Sequence, residues 1–193
     1  MISVIMTRTD DSPFLDEACA SFERQNFKDA ELIVMKDNGA GRPATLNRAA
    51  KEAVGNWLMW LDSDDLLRHG SLEKIARATK QPSVKSIFTG WEHSGKKHVP
   101  VLSSDPAKFK AGWAVCVRRS VYDAVGGFDE SYPFACTMDF RLRVHERGNA
   151  VVLPEPLYWF REHAGRITRK FHVQQREGVE RAIDAAIQRR GLK

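Results

Sequence analysis

Three carboxylates stand within four positions at Asp62-Ser63-Asp64-Asp65, directly after the unbroken apolar run Trp57-Leu58-Met59-Trp60-Leu61. Like charges held this closely repel, so folding them together is unfavourable. A divalent cation removes the repulsion, because hard cations prefer oxygen ligands. An apolar run of that length reads as a strand buried on both faces, as in a parallel sheet. Ligands of open parallel sheets bind outside the carboxyl ends of the strands. Residue type and position together point to a metal site facing a ligand. The alternative is a solvated acidic turn that caps the next helix, since Asp is also a common cap and turn residue.

The elements that position this tip follow from spacing. Ile2–Met6 reads as a first buried strand. Ser12-Pro13 carries the signature of a helix start, and Phe14, Leu15, Ala18, Cys19 and Phe22 recur at helical spacing behind it. Leu32–Met35 reads as a second strand ending in the turn residues Asp37-Asn38-Gly39. Leu46, Ala49, Ala50 and Ala53 form the stripe of a second helix, with Gly55 at the expected cap. Strand–helix–strand–helix–strand predicts right-handed crossovers and a mainly parallel α/β sheet flanked by helices. Ser71 caps a predicted helix carrying Leu72, Ile75 and Ala76. Beyond Pro82, short strands are expected at Val84–Thr89, Val99–Leu102, Trp113–Val117 and Val151–Leu153, with helices over 140–147 and around Val179, Ile183 and Ile187.

The 193 residues fit a single domain (1–193), read as a first half over 1–80, a smaller mixed β region over 81–165 and a basic tail with a helix over 166–193. Composition is ordinary for a globular chain, with 42% hydrophobic and 28% charged residues. No apolar run reaches the length of a membrane span, and the start of the chain has no basic stretch with a long apolar core, so a cytoplasmic protein is expected. Cys19, Cys116 and Cys136 lack metal-ligand spacing and suit a reducing compartment. From Arg161 onward nine basic residues face four acidic ones, so the whole net charge of +5 sits in the tail. Such a tail can draw the chain weakly to anionic membrane surfaces, or it can be the solvated face of a terminal helix. No nucleic-acid-binding motif accompanies it, and nucleic acid is not an expected partner.

Four ordered stretches resemble family-2 glycosyltransferases, inverting enzymes of the GT-A fold that use nucleotide-sugar donors. They are Ser3-Val4-Ile5-Met6, the segment Leu46-Asn47-Arg48-Ala49 leading to the DxD-like Asp62-Ser63-Asp64-Asp65, Gly126-Gly127-Phe128-Asp129-Glu130, and Tyr158-Trp159-Phe160-Arg161-Glu162-His163. The resemblance covers the chain to about Thr168. It implies a GT-A-like sheet with an acceptor region and transfer of a sugar from a nucleotide-diphosphate donor. The acceptor would be a glycan, a lipid-linked molecule or a small molecule, and the cofactor Mn2+ or Mg2+. A divalent metal would stabilise the negative charge that grows on the leaving diphosphate. By the same resemblance Asp64, Asp65 and His163 would hold the metal, His163 alternatively being a solvated loop residue. Thr7, Arg8, Asp37, Asn47, Asp62 and Arg166 would surround the donor, with Asp37 at its nucleobase.

An inverting displacement also needs a general base for the acceptor hydroxyl. The family supplies it from a Glu-Asp-x-Asp-Leu-type segment, where this chain reads Cys136-Thr137-Met138-Asp139-Phe140. Aligned without a gap, Thr137 takes the base position and Asp139 that of the second acid. Shifted by two residues, Asp139 becomes the base. A third reading makes Asp139 the cap of the following helix. Two further departures stand out. The turn after the first strand is Thr7-Arg8-Thr9-Asp10, without the family's aromatic, and Asp37-Asn38-Gly39 passes almost directly to Arg42-Pro43-Ala44, where the family inserts a helix and a strand. Arg8 or Arg42 could compensate by contacting phosphate. The nucleotide-binding half is thus shortened, and a catalytically impaired relative that binds a nucleotide or glycan is the competing expectation.

Overall fold

The computed structural model describes residues 1–9, 12–112 and 114–192. Elements run β1 (Ile2–Arg8), α1 (Leu15–Glu23), β2 (Ala30–Lys36), α2 (Arg42–Glu52), β3 (Trp57–Trp60), β4 (Leu66–Leu67), α3 (Ser71–Thr79), β5 (Ser86–His93) and β6 (Lys96–His98). After a 3-10 turn at Pro106–Lys108 come β7 (Val115–Arg118), α4 (Arg119–Val125), α5 (Cys136–His145), β8 (Ala150–Phe160), α6 (Ile167–Lys170) and α7 (His172–Arg189).

Among the described residues, one eight-stranded sheet in the order β2-β1-β3-β7-β5-β8-β4, with β6 beside β5, contains every strand. Parallel order holds across β2, β1 and β3. There α1 and α2 supply the crossovers, and β3 buries all four of its residues, as its unbroken apolar run predicts. Past β3 the sheet is mixed: β7 runs antiparallel to β3 and β5, while β5 and β8 are parallel. The alternation of β1 and β3 divides the core. Ile5, Leu58 and Trp60 pack on one side with α2, α4 and α5. Val4, Met6, Trp57 and Met59 pack on the other with α1 and α3.

Several local expectations shift. Ser12 does not cap α1; the helix starts at Leu15, and the Ser12 hydroxyl instead meets the backbone of Thr9. Val99–Leu102 forms no strand and makes only a bridge between Val101 and Lys110. Val115–Arg118 is the strand expected from Trp113, which itself lies outside the described residues, as does Asp10. β8 does not stop at Pro154 but continues through Pro156 by shifting register opposite Gly90. Prolines are tolerated in strands at such irregularities. Gly90 is required there because a Cβ would stand 2.4 Å from the Pro154 carbonyl oxygen. Along α7, Ala182 and Ala186 are buried, beside a partly buried Ile183. The small residues let the helix lie close to α5. No helix among the described residues is long and apolar enough to cross a membrane.

Candidate functional site

The carboxyl ends of β1, β2 and β3 open into a cleft of about 760 Å³. Thr7, Arg8, Asp37, Arg42, Asp62 and Asp64 line it on the strand side. The segment after β8 contributes His163 and Arg166, and the start of α5 contributes Cys136, Thr137 and Arg141. Brought together are thus Thr7, Arg8, Asp37, Asp62, Asp64, His163 and Arg166 from the predicted set. Asn47, Asp65 and Asp139 are not in the lining.

The acid tip is held from both sides. The Tyr158 hydroxyl donates to Asp65 Oδ2 at 2.7 Å, and the Arg161 backbone N–H donates to Oδ1 at 2.9 Å. The Arg161 guanidinium also donates to the Asp64 carbonyl at 2.9 Å, so the end of β8 is tied to the turn that presents the acids. Arg42, in the first turn of α2, forms an ion pair with Asp62. Burial works against the Arg42 charge, but Asp62 outweighs it and raises the pKa. His163 Nε2 lies 2.9 Å from Asp64 Oδ2.

Oxygen atoms of Asp62, Asp64 and Asp65 come within 4.8 Å of one another. Asp65 is 1% exposed, and burial, followed by repulsion from Asp62 and Asp64, pushes its pKa up to about 8. Three clustered carboxylates with an imidazole alongside are a donor set that fits a hard divalent cation. Asp64 faces the cleft, whereas both Asp65 oxygens already accept hydrogen bonds, which gives Asp65 the position of a buried support.

The other two residues outside the lining have clear local reasons. The Asn47 amide donates to the Phe128 carbonyl at 2.9 Å and to Glu130 Oε1 at 3.0 Å. Its carbonyl oxygen accepts from the Phe128 N–H and the Tyr122 hydroxyl. Asn47 is therefore a clamp between α2 and the Gly126–Glu130 turn, and a Cβ on Gly127 would stand 2.7 Å from it. Asp139 is 2% exposed, and its Oδ2 accepts from Arg143 Nε at 2.8 Å and Nη2 at 2.6 Å. Its helix turns it away from the cleft.

Arg141 is the functional candidate that sequence reasoning missed. A hint was its place between Phe140 and Leu142 in a helix with apolar neighbours, where an arginine must find a buried partner or a ligand. It is 8% exposed, and burial lowers its pKa to about 10. Phe134 and Phe171, also in the cleft lining, pack as a tilted pair with ring centroids 5.2 Å apart and escaped notice because they are distant in sequence.

A model of Glycosyl transferase family 2 matches residues 9–104. The chain is similar in fold to S. aureus TarS 1-349 solved with UDP-GlcNAc, at a TM-score of 0.81 and 18% identity, covering 96% of this chain and 66% of that one. It is also similar to the mannosyltransferase PcManGT from Pyrobaculum calidifontis solved with GDP-Man and Mn2+, at a TM-score of 0.75 and 14% identity, covering 97% of this chain and 64% of that one. The chain thus spans just under two thirds of either structure's length. No curated protein matched in sequence.

Proposed function

We propose that this chain, which belongs to glycosyl transferase family 2, moves a sugar from a nucleoside-diphosphate donor to an acceptor hydroxyl with inversion, with a divalent cation, Mn2+ or Mg2+, at the acid tip. The observation that carries this reading is the cluster Asp62, Asp64 and Asp65, with His163 beside it, at the carboxyl ends of parallel strands and open to a cleft. Asp64 and His163 would hold the metal, and Asp65 would orient Asp64 from behind. The bound cation would supply positive charge against the leaving diphosphate. Asp37 and Thr7 would sit at the nucleoside, with Arg8 and Arg166 toward the phosphates. Asn47 would act through the turn it clamps. TarS, solved with UDP-GlcNAc, and PcManGT, solved with GDP-Man and Mn2+, lend the donor class support as fold relatives.

The acceptor proton needs a base. Asp139 serves in that role only if its pair with Arg143 opens. Thr137, which faces the cleft, keeps its proton at neutral pH. This observation favours a second reading, a relative that binds a nucleotide sugar and transfers it slowly or not at all. Calorimetric titration of UDP and GDP, with manganese and then with a chelator, tests the shared part. Binding that needs the metal supports the site, and no binding of either nucleotide with manganese present overturns it. Release of nucleoside diphosphate from a panel of nucleotide sugars and acceptors then separates the enzyme from the binder.

A further inference from the structure

Arg141 is a buried cation whose hydrogen-bond partners among the described residues are all uncharged. Its Nε donates to the Thr137 carbonyl at 2.7 Å. Its Nη1 donates to the carbonyls of Ala111 and Gly112 at 3.1 and 2.7 Å, and its Nη2 to Thr137 Oγ1 at 2.9 Å. A guanidinium has five N–H groups, so one Nη2 proton has no partner among the described residues. Among the described residues, Asp62 pairs with Arg42 and Asp139 with Arg143. Among the described residues Arg141 forms no ion pair. The Asp62 charge reaches Arg141 only through space, and that carboxylate is already paired with Arg42. A buried charge without a paired counter-charge of its own is unfavourable, so a fold that keeps one at the wall of a cleft is arranged for a charge that arrives from outside.

The surroundings suit an anion. Thr137 Oγ1 accepts from Arg141, which leaves its own proton to donate outward. Lys110 and His98 line the same cleft. The sheet order fixes the side: β1 and β2 lie on one flank of β3, while Gly112 leads into β7 on the other. Asp37 and Arg8 end the first flank. The Arg141 wall therefore lies across the acid tip from the nucleoside end, on the side left for the sugars.

We propose that Arg141 and Thr137 form a subsite for a phosphate or carboxylate carried by a sugar, either the acceptor or the sugar being transferred. The placement on the sugar side rests on the donor reading above, whereas the anion preference does not.

The test compares ligands that differ only in the anion, by calorimetry on the full chain. Glucose 6-phosphate is set against glucose, with and without UDP and manganese. UDP-glucuronic acid is set against UDP-glucose with manganese. A charge-assisted pair in a buried site gives a preference of roughly tenfold or more. Preference for glucose 6-phosphate while UDP is bound assigns the subsite to the acceptor. Preference for UDP-glucuronic acid assigns it to the transferred sugar. No preference in either pair overturns the proposal, and this outcome is read on the wild-type protein alone. Displacement of glucose 6-phosphate by UDP places the anion in the diphosphate site and also overturns it. Arg141→Met should abolish the preference and leave metal-dependent UDP binding within about threefold, while Arg141→Lys should keep part of it. An unchanged preference in folded Arg141→Met refutes the assignment. If UDP fails to bind wild type, the donor reading falls, and the comparison without nucleotide still decides whether the anion site exists.

Discussion

At the tip of β3, Asp62 and Asp64 line the cleft; in the first two turns of α5, Asp139 turns from it while Thr137 and Arg141 line it. Both segments are acidic and polar at the start or end of an element, yet they present their charges in opposite senses. The turn after a strand can converge several successive side chains on one point. A helix cannot: residues two apart point to opposite sides, and residues four apart share one. So Thr137 and Arg141 form one pair and Asp139 and Arg143 another, back to back on α5. The strand tip is thus an acidic site without a full set of counter-charges, and the cleft-facing side of α5 is a cationic site with no carboxylate of its own helix beside it.

The sharpest way to break this contrast is Asp64→Ala. If the strand tip is the metal-dependent donor site, manganese-supported binding of a nucleoside diphosphate should fall roughly 100-fold or more, beyond what loss of a supporting group typically gives. Wild-type affinity in this variant would remove the metal from the tip. Asp139→Asn comes next. An acid facing away from the cleft should show its loss in stability, about 2 kcal/mol for a buried charged hydrogen bond, with nucleotide affinity unchanged. A fall in transfer of ~10²–10⁴-fold, with the fold intact, would instead mark Asp139 as the base and show that α5 moves during turnover.

These two variants also show what sequence can carry. The strand Trp57–Trp60 and its acids were legible because an apolar run and its charged end are local features. So was the first parallel unit, through the alternation of strand and helix signals. A mixed β region beyond β3 was expected too, but its strand order was not legible, because antiparallel placement of β7 depends on pairings between distant segments. The same limit hid the Asn47 clamp, whose partners lie in 122–130, and the Arg141 site, whose carbonyl partners lie in 111–112. Asp139 was recognised as an acid near the start of a helix, but its direction depends on which residue starts α5. Ala135, with φ of 59°, sets that start, and no strong local signal announces it.

Arg42→Ala sharpens the comparison on the strand side. Arg42 is the one guanidinium among the described residues that pairs with Asp62. Its removal leaves the tip with more negative charge, so manganese alone should bind more tightly. The pair is partly exposed and screened, so the gain should be about threefold. Weaker manganese binding would mean that Arg42 shapes the tip and does not compete with the cation there.

The smallest effect is expected at the far end of α5, where His145 supplies a control remote from both charged sites. Its Nε2 lies 3.2 Å from the Ser103 carbonyl oxygen, so that nitrogen carries the proton of the neutral ring. Nδ1 is buried with no hydrogen-bond partner among the described residues. Burial first, and the Arg190 charge second, lower the pKa below 6.5; the Ser103 carbonyl and Glu146 oppose this, and Phe109 stacks on the ring. Because the folded value is depressed, the unfolded chain takes up the proton first as pH falls. The neutral ring's contribution is complete above pH 6.5 and is lost as pH drops through 6.5 toward the folded value. Protonation would also add a buried donor without an acceptor. His145→Gln cannot titrate, so its melting temperature should fall less than that of wild type between pH 7 and 5. The difference should be small, about a degree or two, because the ring is only half-buried. Parallel melting curves in the two proteins across that range would show that His145 is not perturbed and that the acid sensitivity of the fold lies elsewhere.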